Sequence, residues 1–210
     1  MIIDPASTDP LNIYKLMIGS VLPRPIAFVS TRSADGINNL APYSFFTGVS
    51  ANPPVVGFSP MMSMESRQRD SRVNAEARGE FCINVVSEQF AEKMNATAID
   101  VPPEVDEFEL SGLTPVECEL IDAPRVGEAY LAMECQLLQV VEISRETFGG
   151  AFVMGQILRF HVDDALFDNY RINPDLLRPI GRMAGNTYTR TSDRFDMERP
   201  VMAGKPRIER

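Results

Sequence analysis

Three polar stretches carry residue types that can do chemistry. Pro23-Arg24-Pro25-Ile26-Ala27-Phe28-Val29-Ser30-Thr31 begins with a cation between prolines and ends in two hydroxyls. Asn38-Asn39-Leu40-Ala41-Pro42-Tyr43-Ser44-Phe45-Phe46 crowds small, polar and aromatic residues together, a composition that suits the face and edge of a flat heterocycle but equally a tight loop after a hairpin. The third is Ser59, followed by Ser66-Arg67-Gln68-Arg69-Asp70-Ser71-Arg72, a cationic approach to a helix. Unpaired N–H groups at a helix start carry partial positive charge, so Arg67, Arg69 and Ser71 could complete an anion site there. The competing reading is an ordinary helix capped by Asp70, with its arginines in water.

The scarce residues exclude other chemistry. His161 is the single histidine, and Cys82, Cys118 and Cys135 lie far apart without a Cys-x-x-Cys pair, so no two-histidine metal site and no iron–sulfur motif is expected. The cysteines read as reduced core thiols of a cytoplasmic protein. No Gly-x-Ser-x-Gly, Walker or Gly-x-Gly-x-x-Gly signature is present, so any catalysis calls for an organic cofactor.

These stretches need elements to hold them. The periodicity predicts a helix over 9–18, capped by Asp9, and a hairpin of strands near 25–31 and 38–42 across Ser33-Ala34-Asp35-Gly36. Further strands are expected at 55–58 and 80–86, flanking a helix over 70–78 that ends at Gly79. Alternation over 129–143 places Leu131, Met133, Cys135, Leu137, Val141 and Ile143 inward and Glu134, Gln136 and Glu142 outward. Over 151–163 the even positions Phe152, Met154, Leu158, Phe160 and Val162 form the expected core stripe, leaving His161 on the opposite, polar side. Strand–turn–strand units with few helices favour an antiparallel sheet closing into a barrel. Residues 1–165 would form that domain, and 166–210, rich in proline and turns, an irregular arm packed on the barrel or a partner subunit.

The chain has 210 residues, 44% hydrophobic and 23% charged, with a net charge of −9. Scattered basic residues on an acidic chain argue against nucleic acid, and charge or proline breaks every apolar run well short of the roughly 20 residues that span a bilayer.

Taken in order, PRPIAFVST, DGINNLAPYSFF, the Pro53-Pro54 pair and RDSRVN before GEFCIN resemble the flavin reductase-like family of FMN-binding split-barrel proteins. FELSGLT, the Glu134-Cys135 strand, GQILRFHVDD, Ile180-Gly181-Arg182 and Tyr188 extend the resemblance over nearly the whole chain. Where some relatives carry Lys-Asp-Thr this chain has Arg69-Asp70-Ser71, which keeps a cation and a hydroxyl but changes the donor geometry.

The resemblance implies a mainly β fold with flanking helices, a six-stranded antiparallel split barrel forming a homodimer with FMN near the interface. It implies Ser30, Thr31, Arg69, Asp70 and Ser71 around the phosphate, Asn39, Ala41, Pro42 and Ser44 along the flavin ring, and further cofactor contacts from Ser59, Arg182 and Tyr188. His161 is expected either as a catalytic group beside the flavin or as a structural histidine bonded to a neighbour such as Asp163. The implied activity is flavin reduction by transiently bound NADH or NADPH, passing electrons to free flavin, oxygen or a partner such as a monooxygenase. A flavoredoxin-type carrier that never meets a pyridine nucleotide, or a flavin-binding scaffold without turnover, stays open beside it.

Overall fold

A computed structural model describes residues 1–63, 65–198 and 200; the end of the expected arm, 201–210, lies outside the described residues. In chain order the elements are α1 (Pro10–Ser20), β1 (Ala27–Arg32), β2 (Asn38–Tyr43), β3 (Phe46–Ala51), β4 (Pro54–Phe58), α2 (Asp70–Arg78), β5 (Glu80–Val85), α3 (Ala91–Ala96) and α4 (Glu107–Ser111). A short ladder follows, β6 (Pro115–Val116) on β7 (Arg125–Val126), and then two long strands, β8 (Leu131–Glu142) and β9 (Ala151–Val162). The chain continues through β10 (Phe167–Asp168), β11 (Arg171–Ile172), α5 (Pro174–Leu177), β12 (Ile180–Arg182) and β13 (Tyr188–Arg190).

Seven strands form one antiparallel sheet in the order β2-β1-β5-β8-β9-β4-β3, one strand more than expected. The extra one is β3, whose residues Phe46–Ala51 pair with β4. Both faces of the sheet's centre are covered, so neighbouring side chains enter different cores. Val29, Phe58, Phe81, Ile83, Cys135 and Val153 meet on one face, while Phe28, Leu40, Phe90, Met94 and Phe108 meet under the helices on the other.

Three expectations about facing are corrected. Val141 and Ile143, expected inward, are exposed, because the register of β8 against β9 shifts between Leu137 and Gln139 and ends the alternation there. In β9 the buried positions are Ala151, Val153, Gly155 and Ile157, whereas Leu158 and Phe160 of the expected core stripe point outward, Phe160 with 54% of its surface exposed. The reason is Gly155, where a Cβ would lie 2.4 Å from the Phe81 ring: that ring occupies the volume a larger inward side chain would need. Glu134 of β8, expected in water, is fully buried beneath the segment 117–123.

The arm is more regular than its composition suggests and packs on its own barrel. Leu166 and Leu177 join the first core and Ile180 the second, and backbone hydrogen bonds run both ways between Arg24 and Arg182.

Candidate functional site

Helix α2 starts abruptly. Arg69 stands at its N-cap position with extended backbone, and no side chain caps the helix; Gly79 closes the other end at φ 73°. Asp70 is the acidic residue of the first turn, where its charge complements the helix dipole. The nearby arginines already hold partners. Arg67 Nη1 donates to Asp70 Oδ1 at 2.8 Å and its Nη2 to Asp100 Oδ1 at 2.9 Å, while Arg69 Nη1 lies 3.0 Å from the same Asp100 oxygen. Burial, the largest single influence on the pKa of Arg67, lowers it, but Asp100 and Asp70 together outweigh burial and raise it.

Behind the helix start lies a buried polar network. Ser71 Oγ accepts from the Tyr43 hydroxyl at 3.1 Å and donates to Asn39 Oδ1 at 2.7 Å. Thr31 Oγ1 donates to the same Asn39 oxygen and accepts from Asn74 Nδ2. The Asn39 amide donates to both oxygens of Glu107, which also accepts from Leu40 N at 2.9 Å. Burial raises the pKa of Glu107, and pushes the Tyr43 phenol up to about 12.

In front of this network a groove of about 300 Å³ gathers Ala41, Pro42, Ser44, Ser59, Met61 and Arg69. Tyr14 and Ile18 of α1 and the segment Thr97–Ile99 complete its walls. Five of the expected cofactor residues therefore meet in one cavity, at the start of α2. Ser44 is held there by Arg24, whose Nε donates to its Oγ at 3.1 Å. The same guanidinium donates to Ile18 O, Val21 O and Met183 O at 2.7–2.9 Å, tying α1 and the arm to β2.

Other expected residues are placed differently. Ser30 donates to Pro124 O and accepts from Asn84 Nδ2, and the hydroxyl of Thr31 is likewise engaged as both donor and acceptor; both residues are buried, so they frame the groove rather than face it. Asn39 and Ser71 also spend their side chains inside the protein. Arg182 and Tyr188 belong to a second groove of about 650 Å³, which shares no lining residue with the first, and there the guanidinium carbon of Arg182 lies 4.4 Å from the Tyr188 ring centroid. His161 lines neither groove: its Nε2 is 2.5 Å from Glu134 Oε1, whereas Asp163, the neighbour expected as its partner, caps a turn through Ala165 N.

Arg24 and Glu107, which hold Ser44 and Asn39 in place, are not among the site residues expected from the sequence. A charged residue wedged between two prolines was the only signal for Arg24. Glu107 stands in an acidic, proline-bearing segment, 96–116, that reads as a loop with a short helix near 103–110, and nothing there marks it out.

The seven-stranded antiparallel sheet, with a groove at the start of α2, is of the split-barrel class of fold. The flavin reductase like domain matches residues 18–179, and the chain belongs to that family, a family of oxidoreductases that use flavin. An uncharacterized protein of Halalkalibacterium halodurans is 37% identical over 207 residues, 97% of this chain and 98% of that protein. Among solved structures, nitrilotriacetate monooxygenase component B from Bacillus cereus is 36% identical with a TM-score of 0.89, covering 94% of this chain and 98% of the other. The 2-nitrobenzoate 2-nitroreductase of Pseudomonas fluorescens is 31% identical with a TM-score of 0.85, covering 97% and 100%. Among the described residues no helix is long and apolar enough to cross a membrane.

Proposed function

We propose that the protein is an FMN-dependent NAD(P)H:flavin reductase that supplies reducing equivalents to free flavin, oxygen or a partner protein. The observation that carries this reading is the groove itself, with small residues on one wall and an uncapped, arginine-flanked helix start at one end. FMN fits that donor set. Its phosphate would take the N–H groups at Asp70 and Ser71 and the guanidinium of Arg69, and its ring would lie along Ala41, Pro42, Ser44 and Ser59. When bound, the flavin accepts hydride from NADH or NADPH and passes the electrons on.

The chain's own residues bind and shape rather than react. Glu107, Asn39 and Ser71 fix the helix start against β2, Arg24 fixes Ser44, and Ala41 and Pro42 leave room for a ring to approach. Arg182 stacked on Tyr188 offers a flat cationic surface for the incoming nicotinamide nucleotide. The names of the two solved relatives, a monooxygenase component and a nitroreductase, support electron delivery to a separate acceptor, a monooxygenase in the first case.

The expected result is a yellow protein, or a colourless one that takes up FMN, bleached by NADH or NADPH without oxygen. FMN uptake without bleaching would instead select the electron carrier, and failure to bind FMN would end both flavin readings. Arg69→Ala should weaken FMN by about 10–100-fold, the equivalent of one charge-assisted hydrogen bond of about 1.5–3 kcal/mol, with little effect on riboflavin. Titrating both ligands against fluorescence checks this, since equal weakening would move the phosphate elsewhere.

The reading includes a homodimer. Leu138 and Val141 of β8, Ile143 just beyond it, and Leu158 and Phe160 of β9 are large apolar side chains left exposed, which a second copy would cover. Sedimentation should give twice the chain mass at micromolar concentration, and Phe160→Asp should shift it toward the monomer.

A further inference from the structure

Away from both grooves, Cys118, Glu134 and His161 come together from a loop and two strands. One ligand atom from each, the thiol sulfur, a carboxylate oxygen and an imidazole nitrogen, lies within 4.8 Å of the others. From these residues we infer a binding site for a divalent transition-metal ion of the zinc class, independent of flavin. The chain's lack of paired metal motifs does not bear on it, because the fold brings single residues together across the sheet.

The surroundings are those of a ligand set. Glu134 is fully buried, and its two oxygens accept from Glu119 N at 2.9 Å and Leu120 N at 2.7 Å, so the carboxylate is held in place from behind. The side chain of Arg159 pairs with that of Glu119 and fastens the same loop to β9. Cys118 and His161 are partly exposed, which gives an ion a way in and leaves a fourth position for water. Sulfur, nitrogen and oxygen donors together favour zinc over magnesium or calcium, which prefer oxygen alone. One thiolate, one carboxylate and a neutral imidazole carry two negative charges, so a divalent cation leaves the site neutral.

Ligand bond lengths of about 2.0–2.3 Å put ligand atoms about 3.3–3.7 Å apart in a tetrahedron. His161 Nε2, now 2.5 Å from the carboxylate, has to withdraw by about 1 Å, and its 19% exposed side chain faces the open side. Binding sends the proton of the Cys118 thiol to solvent, and the neutral imidazole meets the ion through its unprotonated nitrogen while its other nitrogen keeps the ring proton. The ion would pin the loop 117–123 to the long strands. Pro124, at the end of that loop, accepts from Ser30.

The test is titration of the full-length protein, first treated with a chelator, with Co²⁺ and then with Zn²⁺ in competition. One equivalent of cobalt should bind with a near-ultraviolet thiolate-to-metal charge-transfer band, and zinc should displace it and raise the melting temperature. Cys118→Ser, a near-isosteric change on a partly exposed loop, should abolish the band and weaken zinc by at least about tenfold. His161→Gln should keep the band with weaker binding; second-shell losses alone cost about 10–100-fold, and a lost ligand costs no less. Absence of binding, binding without the thiolate band, or equal zinc affinity in wild type and Cys118→Ser would each overturn the site. The cobalt spectrum of the wild-type protein decides the matter even if a variant fails to fold.

Discussion

Glu107→Ala is expected to destabilise the protein by about 3–5 kcal/mol and to weaken flavin binding with it. The carboxylate is the acceptor for the Asn39 amide and for Leu40 N, and all three residues are buried. Removing it orphans two buried donors, each worth about 1–3 kcal/mol when left unpaired, in a site closed to water. The damage spreads because Asn39 also accepts from Ser71 and Thr31, so a loosened amide frees the first turn of α2 from β2. The pH dependence has a definite sign. Burial, the largest influence, raises the pKa of Glu107 above its ordinary 4.5. The proton-linked part of its contribution to stability is therefore fully present below that value and is lost as pH rises through the native pKa, while the orphaned donors count at every pH. The gap between wild type and Glu107→Ala should widen as pH falls from neutrality toward 4.5. Urea unfolding at several pH values measures it, and a variant as stable as wild type would remove Glu107 from this role.

Arg24→Met should cost about 3 kcal/mol or more and lower FMN affinity although Arg24 does not line the groove. The guanidinium fills a buried slot and makes four hydrogen bonds, three to carbonyls of α1, its following residue Val21 and the arm, and one to Ser44. Methionine matches the stem but offers no donor, so those carbonyls must find water or stay unpaired. Arg24→Lys separates charge from shape. A single ammonium cannot reach four acceptors spread around a planar fork, so lysine should recover less than half of the loss. Limited proteolysis would show the mechanism, since cleavage near residues 18–22 and 183 should accelerate together. Full recovery by lysine would mean that charge alone sufficed.

Local signals were well read from the sequence. Ser33 to Gly36 marked the β1–β2 turn, and Gly79 marked the end of α2, because backbone conformations that favour particular residues are written in residue type. The groove was partly legible, since Ala41, Pro42 and Ser44 lie close in sequence and Arg69 stands at a recognisable helix start. Facing was harder. β9 is apolar on both sides, so size pointed to Phe152, Met154, Leu158 and Phe160 as the core, whereas the inner face holds smaller residues against the Phe81 ring. Glu134 and Glu107 look like surface carboxylates, and only the segments folded over them make them buried acceptors. No periodicity within a strand carries that information.

The ion pairs at the start of α2 also bear on how tightly any ligand can be held there. Asp100 already neutralises Arg67 and Arg69, so an arriving phosphate must displace a carboxylate tethered by the chain itself. A tethered group of this kind competes at an effective concentration on the order of millimolar. Part of the attraction between phosphate and arginine is thereby cancelled, and a departing ligand leaves no bare cations behind. A built-in competitor of this kind speeds the release of any phosphate ligand, so Asp100→Asn should slow the dissociation of FMN by strengthening the grip.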